Sequence, residues 1–324
     1  MNKKQIDRPT LNDIRSAHKR IEKFITRTPL HHYPTLDNLI KAEVYVKHEN
    51  HQPLGAFKMR GGINHMMKLS QEEKRNGVVT ASTGNHGQSI AFAAKLHGIE
   101  AVIIVPKGAN PGKVASMKAL GADVRFYGDH FDESRLEVER LSKEEGYKYI
   151  HSANTPDLIE GVGTYTLEIL DDLPDTDVII VPVGAGSGAS GTSIVAKSIN
   201  PNIQVIGVQS DAAPAAYLSW KSNSLKSMPN KTIAEGLGTG LGFAYTIEIM
   251  RDLLDDFILV TDEELEGSVL LLLEHTHNLA EHAGAAALAA AIKIKNQLLN
   301  KKVVLVMSGG NLSLEHLRKI IIDS

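Results

Sequence analysis

From about residue 75 onward, short apolar runs alternate with longer mixed ones. VVTAS (78–82), AVIIVP (101–106) and ADVRFYG (122–128) read as strands: they are short, rich in β-branched residues and bounded by turn residues. The stretches 89–98, 112–122 and 131–145 between and after them read as helices, the last strongly charged. The pattern returns with DVIIVPV (177–183), a Gly-rich turn and a helix at 192–199. IQVIGVQ (203–209) and KVVLVMS (302–308) are two more runs of the kind expected of a strand buried on both faces. Alternation of this sort predicts an α/β fold with open, mostly parallel twisted sheets covered by helices.

The strands fall into two groups, one between about 75 and 150 and one between about 177 and 310, separated by a helix-rich stretch at 155–171. Two lobes are expected. Residues 1–52 and 153–324 would form a large domain and 53–152 a small one. The segment 210–258 is less regular, and its Gly, Ser and Pro content suggests loops with short helices. The alanine-rich AGAAALAAAI (283–292) is far short of the ~20 apolar residues of a membrane span and reads as a helix buried in the core.

Composition narrows the field. At 324 residues the chain is long enough for two lobes, and 42% hydrophobic with 23% charged residues is ordinary for a globular enzyme. A net charge of −3 implies no bulk attraction to nucleic acid or an anionic membrane. The absence of cysteine excludes disulfides, thiolate metal sites and a Cys nucleophile. No apolar run follows the first lysines, so no secretory leader is expected and a cytoplasmic protein fits.

Four stretches are candidates for chemistry. GAFKMRGG (55–62) places Lys58 between Phe57 and glycines. An ordinary lysine is a free amine only about once in a few thousand at pH 7, so a reactive one needs a special setting or a covalent cofactor. ASTGNHGQS (81–89) follows a strand and opens a helix; its backbone amides can hold a carboxylate, and Asn85 can bond an oxygen of a cofactor. GAGSGASG (184–191) joins a strand to a helix and suits an anion. Gly186, Gly188 and Gly191 also spell G-x-G-x-x-G, with Asp211 twenty residues further on, which leaves a dinucleotide site open beside a single phosphomonoester. MSGGN (307–311) ends a strand at the sheet edge where open α/β folds place ligands.

Together and in this order, the four stretches resemble the fold-type II pyridoxal 5′-phosphate (PLP) enzymes, and within them the threonine/serine dehydratase and serine racemase group, from about residue 10 to 320. The resemblance implies a tryptophan-synthase-β-like fold and a homodimer. It implies that Lys58 carries the cofactor covalently and then acts as base at Cα of a small amino acid. Phe57 would pack on the cofactor ring and Asn85 would bond its hydroxyl. Gly184, Ala185, Gly186, Ser187 and Gly188 would cradle the phosphate, and Ser308 would face the pyridine nitrogen. Gly236 and Glu281 match positions near the cofactor. Ser82, Thr83, Gly84 and His86 would hold the substrate carboxylate. The implied reaction takes a β-hydroxy amino acid such as L-threonine or L-serine to a 2-oxo acid and ammonia.

Departures from the family pattern carry information. Thr83 stands where racemases use a serine as base on the opposite face, which counts against racemisation, and simple dehydratases usually carry alanine there. Gln209 and Ala215 stand where cation-binding members carry acidic residues, so no metal is expected. His282 replaces the usual proline after Glu281. The chain stops soon after its last helix, so feedback through a C-terminal regulatory domain is not expected. A bulkier or acidic hydroxy amino acid, such as 3-hydroxyaspartate or a product of ectoine breakdown, stays open as substrate.

Overall fold

A computed structural model describes residues 7–323; the first six residues of the stretch read as lacking a leader lie outside them. The strands are β1 (Leu30–His32), β2 (Glu43–His48), β3 (Val78–Ala81), β4 (Ala101–Val105), β5 (Asp123–Phe126), β6 (Lys148–Tyr149), β7 (Val178–Pro182), β8 (Gln204–Ser210), β9 (Asp256–Val260) and β10 (Lys302–Met307). The first seven helices are α1 (Leu11–Ile21), α2 (Pro34–Ile40), α3 (Lys58–Lys68), α4 (Gln71–Asn76), α5 (Asn85–Leu96), α6 (Pro111–Ala119) and α7 (Phe131–Glu144). The other seven are α8 (Pro156–Asp172), α9 (Ser187–Ile199), α10 (Ala215–Ser222), α11 (Ala244–Leu253), α12 (Asp262–Thr276), α13 (His282–Lys293) and α14 (Leu314–Asp323).

The strands build two sheets. One has the order β1-β2-β10-β7-β8-β9, parallel except for β1, which runs antiparallel on β2. The other, β5-β4-β3-β6, is parallel throughout. Every residue of β3, β4 and β7 is buried, as the unbroken apolar runs require of strands covered on both faces. Helix α13 explains its own composition: alanines let it lie against β7, β8, β9 and β10, and it is buried from His282 to Ala291. Among the described residues no helix is long and apolar enough to cross a membrane.

Two expectations need correction. The helix expected at 192–199 begins at Ser187, so more than half of the Gly-rich stretch is helical. Gly186, at φ 92°, turns the chain into the helix, and a Cβ on Gly191 would stand 2.9 Å from the Gly163 amide nitrogen of α8. Small residues here therefore serve close helix packing as well as the turn. The irregular segment also ends earlier than 258, because β9 starts at Asp256 and pairs with β8 at Ile206. With its short helices α10 and α11, the rest of 210–258 is as expected.

Candidate active site

Three loops leave the C-terminal ends of β3, β7 and β10, the edge where parallel sheets gather ligands. They are 82–84, 183–186 and 308–313. The segment 54–57, which leads into α3, joins them. Its Phe57 amide donates to the Ser308 carbonyl at 3.1 Å, and the Gly310 amide donates to the Gly55 carbonyl at 2.9 Å. GAFKMRGG and MSGGN, some 250 residues apart in the chain, are thereby clamped together.

Lys58 is the first residue of α3 and is half-buried. Its Nζ donates to Ser187 Oγ at 2.7 Å and lies 4.6 Å from the centre of the Phe57 ring. Loss of water around the amine lowers its pKa to about 8. Phe57 is held in turn by the edge of Tyr165, with ring centres 6.1 Å apart, and the Tyr165 hydroxyl donates to the Gly188 carbonyl at 3.2 Å.

The Gly-rich turn is open. Helix α9 has no side-chain cap, and among the described residues the amides of Ala185, Gly186, Ser187 and Gly188 have no protein acceptor. Unpaired amides at a helix N-terminus form an anion cradle. A Cβ on Gly184 would come within 2.2 Å of the Gly236 carbonyl oxygen, so the two glycines must meet here. A phosphate on these amides, with an amine of lowered pKa hydrogen-bonded to the first residue of the same helix, fits the cofactor implied by the motifs.

Asn85 opens α5, and its amide is engaged on both sides. Nδ2 donates to Glu281 Oε1 at 2.7 Å, and Oδ1 accepts from Asn311 Nδ2 at 2.8 Å. Asn311 also donates to the Leu54 carbonyl, which ties the lysine segment into the same chain of bonds. Burial raises the Glu281 pKa, opposed by Lys113 and by the Asn85 bond. Ser308 is buried, and among the described residues its hydroxyl has no hydrogen-bond partner.

The substrate loop is less uniform than the motif suggested. Ser82 Oγ accepts from the Gly84 and Gly87 amides at 3.3 and 2.9 Å, so that side chain shapes the turn. The Thr83 hydroxyl has no partner among the described residues. The His86 ring lies apart from the loop's opening: it is buried, with Nε2 3.1 Å from Thr80 Oγ1, which itself donates to the Ile150 carbonyl. Burial, with the nearby Lys58 charge, lowers its pKa to about 3. A neutral ring so placed leaves the backbone amide of His86 as its means of binding an anion.

Beside the site, Lys113, Glu235, Gly236 and Glu281 line a cavity of about 30 Å³. A larger groove of about 560 Å³, around Arg8, Leu11, Ile194 and Lys197, contains none of the residues singled out from the sequence. Gln209, read from the sequence as standing where cation-binding members carry an acidic residue, bridges the Leu237 carbonyl and the Tyr217 amide.

Several residues escaped the sequence reading. Arg60, two positions past Lys58, is fully buried and makes five hydrogen bonds, to Glu49, Glu168 and Thr164. Lys47 completes this cluster through Glu168 Oε2 at 2.6 Å and the Thr28 carbonyl at 2.8 Å. A signal existed, since Glu168 interrupts the apolar run of TLEIL and Lys47 sits in a strand. Asn311 was inside a motif already noted, but its reach to Asn85 was not legible.

Comparison with known proteins gives the family. A family model described as "Pyridoxal-phosphate dependent enzyme" matches residues 21–309, including the turn that left a dinucleotide site open. The chain is 38% identical over 313 residues to the L-threonine ammonia-lyase of Thermotoga maritima, covering 96% of this chain and 78% of that one. It is 39% identical over 317 residues to the catabolic L-threonine dehydratase of Staphylococcus aureus, covering 96% and 92%. The solved structure of maize serine racemase superposes with a TM-score of 0.91 at 33% identity over 97% of each chain.

Proposed function

The chain belongs to the fold-type II pyridoxal-phosphate-dependent enzymes, and from that premise we propose that it is an ammonia-lyase taking L-threonine or L-serine to a 2-oxo acid and ammonia. The names of its curated relatives support the reaction. The observation that carries the site assignment is Lys58: an amine with its pKa lowered to about 8, bonded to Ser187 where the open amides of α9 begin.

Lys58 and the amides of 185–188 would hold the cofactor, Phe57 would pack on its ring, and Asn85, Gly236, Glu281 and Ser308 would surround it. Bound there, the cofactor supplies an electron sink for the pair left at Cα. The loop amides of 83–86 would fix the substrate carboxylate at the N-terminus of α5. Lys58 Nζ would take the Cα proton. At pH 7.5 a pKa near 8 leaves roughly a quarter of the amine unprotonated, against about one in a thousand for an ordinary lysine. Ser308, an alcohol, would hydrogen-bond the ring nitrogen without holding it fully protonated, which favours prompt loss of the β-hydroxyl. Water lost from Cα–Cβ is regained when the product hydrolyses, so the balance is one amino acid to one 2-oxo acid and one ammonia.

Racemisation would need a base on the opposite face of Cα. Thr83 has the right place in the motif, but an alcohol with no hydrogen-bonded acceptor among the described residues cannot take a proton readily. The same reading carries a homodimer, a cytoplasmic location and a division into domains 1–52 with 153–324 and 53–152. The test is a screen of L-threonine and L-serine for 2-oxo acid and ammonia in equal amounts. Conversion of L-serine to D-serine without 2-oxo acid would replace the lyase with a racemase.

A further inference from the structure

One ion pair stands beside the site, between α6 and the loop before Gly236. Lys113 lies in the first turn of α6, against the four-stranded sheet, and its amide is fixed by the Asn110 cap. Glu235 comes 122 residues later, on the loop that leads to Gly236. That loop is anchored on the other lobe: Asp262 accepts from Thr232 Oγ1 at 2.5 Å and from the Ile233 amide at 2.9 Å. The Lys113 ammonium and the Glu235 carboxylate are hydrogen-bonded to each other across the gap.

Glu235 does more than bridge. Its Oε2 lies 3.8 Å from where a Cβ on Gly84 would stand, so the carboxylate leans on the loop read as the substrate's carboxylate site. With Gly236 and Glu281 the pair lines a cavity of only about 30 Å³, enough for about one or two waters. Glu235 therefore stands between the loop read as the substrate's carboxylate site and Gly236 of the cofactor site, within reach of a side chain on a substrate held there. The surroundings offer little to offset a further negative charge. Lys113 is already paired, Glu281 is a second carboxylate, and burial beside His316 lowers the His282 pKa to about 4.

We propose that the Lys113–Glu235 pair is a selectivity gate, which admits β-hydroxy amino acids with an uncharged side chain and turns away those with a second carboxylate. The inference rests on the ammonia-lyase reading and narrows its substrate class. A methyl or hydrogen on Cβ passes the gate with only steric contact. A side-chain carboxylate meets the half-exposed Glu235 as a like charge.

The two partners have opposite effects on selectivity, which separates a charge gate from a mechanical strap. The measurement is kcat/KM for L-threonine and for L-threo-3-hydroxyaspartate in the holoenzyme, in E235Q and in K113M. E235Q removes the like charge and frees an ammonium, so the hydroxyaspartate/threonine ratio should rise by about tenfold, the size of a single modest charge contact. K113M leaves Glu235 uncompensated, so the same ratio should fall several-fold. Calorimetric binding of succinate and butyrate to the holoenzyme should follow the same order, and it reads the gate without turnover. A ratio that stays constant in E235Q, or that moves the same way in both variants, overturns the gate and leaves a strap. Wild-type protein that releases no 2-oxo acid from any of these substrates contradicts the lyase reading instead, while the succinate and butyrate titrations still judge the gate.

Discussion

Lys58 and Arg60 lie two residues apart on α3, and the fold treats them in opposite ways. Arg60 is wholly enclosed with five hydrogen bonds. Burial opposes its charge, but the Glu49 and Glu168 carboxylates outweigh that and raise its pKa. Among the described residues the Lys58 amine has Ser187 as its one hydrogen-bond partner and no carboxylate, so burial acts unopposed and lowers its pKa to about 8. A buried cation that holds structure is fully satisfied, whereas one that reacts is left short of partners. The same contrast holds for helix ends: α12 is closed by a capping box at Thr261, while α9 has its first amides bare.

Mutation should break the two halves of the comparison differently. Lys58→Ala should cut 2-oxo acid release by at least about a thousandfold with little change in the melting temperature, since one cavity-facing side chain is lost and no ion pair is broken. Activity near wild type would remove Lys58 from the mechanism. Arg60→Ala should do the reverse of this in stability: leaving Glu49 and Glu168 buried with an unmatched charge costs about 3–5 kcal/mol, read by denaturant unfolding. An unfolding curve matching wild type would mean that the cluster is dispensable.

Smaller changes sharpen the contrast. Ser187→Ala removes the hydroxyl that accepts from the Lys58 amine and should lower kcat/KM by about tenfold while leaving stability within ~1 kcal/mol. Acidity should affect Lys58 and His86 unequally. Because Lys58 is tied to the cofactor until substrate binds, its amine can accept a proton only in the substrate complex, so kcat should climb as pH rises through the lowered pKa and level off above about 8. His86, with its pKa near 3, should add no step between pH 5 and 8. A limb centred near 10 would mean that Lys58 behaves as an ordinary lysine. The smallest effect is expected for Ser308→Asp, which should hold the ring nitrogen protonated and change the partition of products more than the total rate. An unchanged product profile would mean that residue 308 does not face that nitrogen.

The reactive half of the comparison was legible in the sequence because its elements are local. A lysine among glycines, a Gly-rich turn after a strand and a Ser-Gly-Gly-Asn turn each lie within eight residues of chain. The structural half was not, because Lys47, Glu49, Arg60 and Glu168 come from three separate segments and meet only when β2, α3 and α8 pack together. Glu49 and Arg60 alone read as solvated surface charges, and the placing of Lys47 in a strand and of Glu168 in an apolar run hints at burial without naming a partner. The strand order was hidden for a similar reason: β10, near the end of the chain, lies between β2 and β7, and no local pattern records that neighbourhood. His86 shows the limit inside a motif. Its place in the loop was right, but the direction of its ring depends on Thr80, a strand residue whose side chain faces it.

The most direct test of the account is borohydride reduction of the purified holoenzyme followed by peptide mapping. The account predicts a stable cofactor adduct on the peptide containing Lys58 and loss of that adduct in Lys58→Ala. An adduct on a different lysine, or none after reconstitution with PLP, would contradict it.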